Sequence, residues 1–476
     1  MVNQKQLISN TSCAFLSHAI RLVANFLVFV IIARAFGIEE FGKFTFAFTF
    51  ATMFLYMANF GLDRLTTLEI SRDRTFLGRY YGSVMVTRVL LSLITLLLTW
   101  MVINAMHYPE DTKAIVYILA LSVMLNSFIM SFNAVFQGIE KLKYETIVAF
   151  INNGLLLILT SVALKLGGGL IAVALIFLFS RVTGFFAALF IHKSKVGKIN
   201  LSFQYQVCKD IILKAWPFAF WSISTVLLYN IDTVLLSYFK GDYVVGLYQP
   251  AIKIISALTV IPLMLDNSFF PVLSRLHDQK KSFDDLAKKL NSILFLIGVP
   301  LMSGIFVLAD KMIIIIYGEK FLESAIVLQI LSLVLLLRFS IKAHESMLIA
   351  LGKQKSIFYI ILSAIILNVV LNILLIPIFG MIGAAISSLT ANIVIIASYI
   401  YLSKKEQKVF LMEGNTLLIL SFGLLSGLLI YNLKLSNIFA LISIFAVCYS
   451  CFTLLFLKKE RMWLFQTIHV LARNNK

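Results

Sequence analysis

Residues 13–35 read CAFLSHAIRLVANFLVFVIIARA, and this stretch decides the fold class. An α-helix rises 1.5 Å per residue, so the segment reaches roughly 35 Å, against a bilayer hydrocarbon core about 30 Å thick. Arg21 and Arg34 are its formally charged residues at neutral pH. Lipid offers no partner to bare backbone N–H and C=O groups, so such a segment crosses as a helix. It leads into Phe36-Gly37-Ile38-Glu39-Glu40-Phe41-Gly42-Lys43-Phe44, a tight turn after which a second apolar run begins.

The pattern recurs along the chain. Apolar runs bounded by charge, Gly or Pro cover 13–35, 41–60, 81–104, 114–137, 144–166, 169–191, 212–238, 244–266, 289–309, 323–351, 356–377, 380–402, 414–432 and 436–457. An all-α polytopic membrane protein of about 14 transmembrane helices is expected. Composition agrees: 60% of the 476 residues are hydrophobic, 13% are charged and the mean hydropathy is +0.94. Soluble domains carry roughly 25% charged residues. A soluble enzyme, a nucleic-acid-binding domain and a secreted disulfide scaffold are thereby disfavoured. Cys13, Cys208, Cys448 and Cys451 are too scattered for a disulfide framework. Cys448 and Cys451 have C-x-x-C spacing, but inside an apolar run with no His or acid nearby, which reads as coincidence. No metal site is expected. No cleavable signal is expected either, because the polar residues 1–10 run into an apolar stretch too long for one.

An even number of spans puts both termini on one face. With that face cytoplasmic, the inner segments hold 27 Lys and Arg and the outer loops six. Cytoplasmic loops collect basic residues, so both termini are expected in the cytoplasm, and the bacterial inner membrane is the expected location. The same asymmetry accounts for most of the net charge of +18 without a polyanionic partner. Beyond Lys458, basic residues alternate with Trp463, Leu464, Phe465 and Ile468. This tail, 458–476, is expected to lie on the inner surface as a basic amphipathic helix.

Two stretches about 205 residues apart look alike. The turn containing Gly37, Glu40 and Gly42 is matched by Gly241, Asp242 and Gly246, each ending in Gly plus an aromatic. Gln137-Gly138 to Lys143, with Asn152 and Asn153 further on, is matched by Leu351-Gly352 to Lys355, with Asn368. An offset of six helices preserves topology, giving parallel repeats. The expected domains are two six-helix lobes, 1–205 and 206–405, then helices 13–14 (406–457) and the tail. Pro250 and Pro262 fall inside the eighth span, where a proline removes a backbone hydrogen bond. That helix is expected to bend and to act as a gate.

A charged side chain in the bilayer centre costs roughly 2.5–3.5 kcal/mol on insertion scales. Arg34, Lys43 and Glu145 lie near span ends, where side chains reach the interface. Arg21, Arg88, Arg181, Asp232, Lys253, Arg338, Lys342 and Glu345 lie deeper and should face water or one another. Helical spacing lines them up with other polar groups: Ser17, His18, Arg21 and Asn25; Thr45, Thr49, Thr52, Tyr56 and Asn59; Ser222, Thr225, Tyr229 and Asp232; Gln249, Lys253 and Ser256; Arg338, Lys342 and Glu345. Such hydroxyl stripes also glue helices together. The surplus of cations implies a cavity selecting an anion, since Arg forks and Lys point charges bind phosphate. Asp232 with Lys253, and Lys342 with Glu345, are candidate ion pairs.

These features resemble the Wzx-type oligosaccharide flippases, members of the multidrug/oligosaccharidyl-lipid/polysaccharide exporters. The resemblance rests on Ile32-Ala33-Arg34-Ala35-Phe36-Gly37, Glu40-Phe41-Gly42, Gly61-Leu62-Asp63-Arg64, and Tyr229-Asn230-Ile231-Asp232 followed by Gly246-Leu247-Tyr248. It covers about residues 10–405. It implies transfer of undecaprenyl-pyrophosphate-linked repeat units from the cytoplasmic to the periplasmic leaflet, for O-antigen or capsule, through a cationic central cavity by alternating access. Arg21, Lys253 and Arg338 would screen the pyrophosphate. No cofactor is expected beyond a coupling proton or sodium ion, with Asp232 and Glu345 as candidates. Expected partners are bilayer lipid, the lipid-linked oligosaccharide, and the polymerase and chain-length regulator of the pathway, with no nucleic acid. A multidrug cation antiporter and a non-transporting scaffold of the assembly machinery remain alternatives. No catalytic residues are discernible, and an enzyme is the least favoured reading.

Overall fold

The computed structural model describes residues 4–199, 201, 203–276, 279–407, 415–432 and 438–456, and among them every regular element is helical. The chain forms two compact units, Met1–Gln249 and Pro250–Lys476. The sequence repeat starts its second copy near residue 206, so the seventh span groups by contact with the helices that precede it.

The first unit holds α1 (Gln4–Phe36), α2 (Ile38–Asn59), α3 (Leu62–Arg72), α4 (Phe76–Arg79), α5 (Tyr81–Ala105), α6 (Glu110–Gly138), α7 (Lys143–Lys165), α8 (Leu170–Lys195) and most of α9 (Tyr205–Leu258). Here α1 packs on α7, α2 on α5 and α6, α3 on α6, and α8 on both α6 and α7. Outward faces stay greasy: Leu93, Leu97 and Trp100 of α5, Phe150 and Ile158 of α7, and Phe186 and Phe190 of α8 are all exposed. Water would not tolerate that density of bare apolar side chains, whereas acyl chains match it.

The second unit holds the end of α9, α10 (Val260–Arg275), α11 (Lys280–Tyr317), α12 (Ser324–Ala350), α13 (Gln354–Gln407), α14 (Asn415–Asn432) and α15 (Ile438–Phe456). In it α12 packs against α10, α11 and α13, and α14 packs between α11 and α15. Phe295 and Val299 of α11 share a core with Ile419 and Phe422 of α14 and Phe445 and Tyr449 of α15.

Ten helices among the described residues are long and apolar enough to cross a membrane. The sequence divides the same stretches more finely. The helix α9 joins the seventh and eighth expected spans, and α13 joins the eleventh and twelfth. Gly241 (φ 77°) and Gly380 (φ 55°) carry the non-helical backbone that marks the break in each. Only glycine adopts such angles at little cost. The helices α14 and α15, at 18 and 19 residues, correspond to the last two expected spans. The basic tail 458–476 lies outside the described residues.

Two boundaries differ from the sequence reading. Residues 62–72, expected as inner loop, form α3, because Phe60 (φ 44°) and Gly61 (φ 71°) turn the chain and helix resumes at once. Leu62, Leu65 and Ile70 of α3 are buried; left in water, each would forfeit about 1.5–3 kcal/mol. The Thr67 hydroxyl donates to the Ala134 carbonyl at 3.1 Å and ties α3 to α6. The eighth span is interrupted at Thr259, between α9 and α10. Pro262 lacks the N–H that would bond the Leu258 carbonyl, and its ring crowds that same oxygen, so the helix stops there. Pro250 sits within continuous α9. Of the two prolines, one coincides with a break.

Candidate functional site

The first unit contains a cleft of about 560 Å³. It is lined by His18 and Arg21 of α1, Asp63, Arg64, Thr67, Leu68 and Ser71 of α3, Met130, Asn133, Ala134 and Gln137 of α6, Glu145 of α7 and Phe218 of α9. The helices present these groups by their pitch. On α6 the positions 130, 133, 134 and 137 fall on one face, and on α3 so do 64, 67, 68 and 71. The opposite face of α3 carries its buried leucines and isoleucine, so the cleft face is fixed by burial of the other.

Arg21 and Glu145 form an ion pair across α1 and α7. The guanidinium also donates to Ser17 Oγ at 3.2 Å, and Gln137 Nε2 donates to the second Glu145 oxygen at 2.9 Å. The Glu145 side chain is 4% exposed and that of Arg21 is 32% exposed. Glu145 is therefore a buried ion-pair partner, where the sequence placed it at the membrane interface. Its depth along the helix misleads, because α7 packs that end against α1. Asn25 donates to the Arg21 carbonyl at 2.7 Å and so serves its own helix.

Beneath the cleft floor lies a second pair. Arg88 of α5 is wholly buried and donates to Asp63 Oδ1 at 2.6 Å, to the Ser127 carbonyl at 2.7 Å and to Asn59 Oδ1 at 3.4 Å. Asn59 Nδ2 donates to the other Asp63 oxygen at 2.7 Å. Arg88 thus holds Asp63 from below and does not line the cleft. Breaking a buried pair by removing one partner costs about 3–5 kcal/mol, since it strands a charge.

Other expected residues are distributed elsewhere. Arg181 of α8 donates from Nη1 to the Asn152 amide oxygen of α7, with the amide oriented so that its nitrogen donates to the Ser180 carbonyl at 2.9 Å. Tyr56 is half-buried on α2, where Thr45 and Thr52 bond their own helix at Phe41 and Phe48. On α9, Asp232 is buried and accepts from Tyr248 Oη at 3.2 Å. Gln249, also buried, donates to Thr233 Oγ1 at 2.9 Å, and Tyr229 is exposed. Lys253 is half-buried near the end of α9, and Arg338 is half-buried on α12.

In the second unit Lys342 bridges two carboxylates, Asp266 at 3.0 Å and Glu345 at 2.9 Å. Ser346 donates to Asp266 as well. The Lys342–Glu345 pair has the partners the helical spacing suggested. Asp266 was not singled out in the sequence, because it closes an apolar run where a charge is unremarkable. Asp63 escaped for a related reason: with 62–72 read as loop, its carboxylate had no fixed direction. With Asp63, Glu145 and Asp266 in place, these cations have acids beside them.

Far along α2 from the cleft, the two repeated glycine turns meet. A Cβ on Gly42 would overlap the Asp242 carbonyl oxygen, and one on Gly246 would overlap the Ile38 carbonyl oxygen. Lys43 reaches Asp111 at 2.6 Å beside them, a specific pair where its place near a span end suggests only interfacial reach. Tyr108, in the α5–α6 turn, donates to Ser237 Oγ at 2.8 Å, and burial pushes its phenol up to about 12. It stays protonated, as the donor role requires.

Comparison with known proteins follows the same lines. The model of a family described as polysaccharide biosynthesis protein matches residues 7–277, and the MatE family model matches 217–374. A Shigella dysenteriae protein named for O-antigen transport is 25% identical over 396 residues, 81% of this chain and 97% of its own length. The Staphylococcus aureus capsular polysaccharide biosynthesis protein CapF is 23% identical over 404 residues, 84% of this chain and 100% of its own. The structure of the lipid II flippase MurJ in an inward closed conformation superposes with a TM-score of 0.77 at 18% identity, covering 94% of this chain and 98% of that one. An inward-facing multidrug resistance MATE transporter of the MOP superfamily gives 0.67 at 17%, over 83% and 99%. At these identities the superpositions establish the shared fold.

Proposed function

The chain belongs to the polysaccharide biosynthesis protein family, and from that premise we propose that it is a flippase for lipid-linked oligosaccharide repeat units. The single observation that carries this reading is the charged cleft of the first unit. Arg21 and Arg64 face a head-group-sized space inside a body whose outer surface is apolar. A pyrophosphate-linked sugar is the kind of solute that needs such a space, because its charge is costly in acyl chains and its lipid tail is not. Guanidinium forks match phosphate oxygens in pairs and hold that charge while it is away from water.

In this reading the carrier lipid is undecaprenyl pyrophosphate and the product feeds O-antigen or capsule. The cleft alternates its exposure between the two membrane faces. Both termini lie on the cytoplasmic side of a bacterial inner membrane in this reading, which the positive-inside count supports. The protein performs no covalent chemistry on the unit. The polymerase and chain-length regulator of the pathway would receive it, and a proton or sodium ion exchanging at Asp232 or Glu345 would supply the coupling. Lys253 and Arg338, in the second unit, are further candidate phosphate-screening cations.

The test is deletion of the gene in its host. Lipid-linked repeat units should then accumulate on the cytoplasmic leaflet, and surface polysaccharide should fall. Arg21→Ala, Lys253→Ala and Arg338→Ala should each fail to restore it at normal expression. Full restoration by all three would sink the anion-binding role.

A multidrug cation antiporter is the second reading, favoured by the MatE match and by two acids, Asp63 and Glu145, at the cleft. Each of those acids is already held by an arginine, which weakens it as a drug anchor. Heightened sensitivity to lipophilic cations after deletion, with normal surface polysaccharide, would decide for the antiporter.

A further inference from the structure

The cleft contains its own anion, and its position suggests a purpose. Arg21 lines the cleft and presents a third of its side chain to it, while its partner Glu145 sits behind, almost fully buried. Both side-chain hydrogen bonds that Arg21 makes among the described residues leave from Nη2. Nη1 and Nε have no hydrogen-bond acceptor among the described residues and remain for a second partner. Arg64, one residue after Asp63, is exposed on the same cleft wall and has no ion-pair partner among the described residues. Asn133 of α6, 6% exposed, also lines the cleft and has a buried side-chain oxygen with no donor among the described residues. Asp63 does not repel an anion strongly, because Arg88 and Asn59 neutralise and bond it from beneath.

We infer that Glu145 is a resident stand-in for the substrate's phosphate, displaced from Arg21 when a pyrophosphate enters, with Arg64 as the cation that meets the ligand first. This inference rests on the flippase reading. A lone arginine exposed to lipid and cleft in turn would be costly in the unloaded protein. A carboxylate at the same guanidinium removes that cost, because Arg21 then exchanges one anion for another and is never bare. Gln137 holds the second Glu145 oxygen and keeps the carboxylate seated at Arg21 while the cleft is unloaded. The displaced charge then stands beside the bound phosphate and disfavours long residence. A transporter needs that property, since its ligand must leave on the far side. The Asn133 oxygen is an acceptor for a sugar hydroxyl next to the phosphates.

The two cations and one competing anion make opposite predictions. The measurement is equilibrium binding of farnesyl pyrophosphate to the purified full-length protein in lipid nanodiscs, with farnesol as the uncharged control. Glu145→Gln keeps the shape and removes the charge, and should bind about tenfold tighter, the worth of one charge-assisted hydrogen bond no longer contested. Arg64→Gln should bind about tenfold more weakly for the same reason. Gln137→Leu, which leaves the carboxylate but loosens its hold, should also tighten binding and reports independently if Glu145→Gln does not fold. In cells, Glu145→Gln should slow polysaccharide export despite its tighter grip. Unchanged or weaker binding in folded Glu145→Gln, or in Gln137→Leu when the former does not fold, overturns the inference. If wild type binds farnesyl pyrophosphate and supports export, that result leaves the flippase reading intact. If wild type does not bind it and deletion leaves lipid-linked units unchanged, both fall.

Discussion

Arg88 is the residue whose sequence position and structural role differ most. Its depth in α5 marked it as a cavity cation, yet it is sealed beneath the cleft and committed to Asp63, Asn59 and the Ser127 carbonyl. Arg88→Leu should therefore destabilise the protein by about 3–5 kcal/mol by stranding the Asp63 carboxylate, measured as unfolding in detergent. Arg88→Leu with Asp63→Leu should recover much of that loss, because a well-packed apolar pair is often as stable as a buried ionic one. A double variant as unstable as the single one would show that the pair is not the source of the cost. The cations were legible in the sequence because a charge inside an apolar run stands out. Their carboxylate partners were not, since Asp63, Glu145 and Asp266 sit near run ends, where an acid has an ordinary solvated explanation. Only the packing of α1 on α7 and of α10 on α12 brings those ends indoors.

At the scale of helices, two devices govern how segments approach one another. The first is the pair of glycine turns, read in the sequence as the mark of a repeat. In the structure they touch, with Gly42 against the Asp242 carbonyl and Gly246 against that of Ile38. Gly42→Ala or Gly246→Ala would drive a methyl group into a carbonyl oxygen that has no room to retreat, and overpacking of this kind costs about 1–3 kcal/mol or more. Either change should reduce export while leaving the protein folded and in the membrane, scored by surface polysaccharide against protein level. Export at the wild-type level would mean that the contact is not used during transport. The second device is the break at Thr259. Pro262→Ala restores the missing N–H to the Leu258 carbonyl and should join α9 to α10. Slower amide exchange across 256–262 would register the repair, and exchange as fast as in wild type would assign the break to another cause. The interruption was legible from Pro262, whereas Pro250 marks none, since a proline in a helix is tolerated where neighbouring groups re-satisfy the freed carbonyl.

For the molecule as a whole, the membrane-spanning class followed from hydropathy alone, because a bilayer leaves the backbone so few choices. The separations between spans 7 and 8 and between spans 11 and 12 were legible too, since Gly241 and Gly380 carry the non-helical backbone that breaks α9 and α13. The cleft was not legible: it collects side chains from α1, α3, α6, α7 and α9, and apart from Gln137 and Glu145, eight residues apart, the contributions of successive elements lie more than forty residues apart. Periodicity reports a face of one helix and is silent about which faces converge. The proposed function is that this chain moves a phosphorylated, lipid-borne glycan across a bilayer. Purified protein reconstituted into sealed vesicles with a lipid-linked oligosaccharide tests it directly, by following exposure of the sugar to an impermeant glycosidase added outside. The protected inner-leaflet fraction should become cleavable with time in protein-containing vesicles and stay protected in empty ones. Equal protection in both, with correctly folded protein present, would contradict the account.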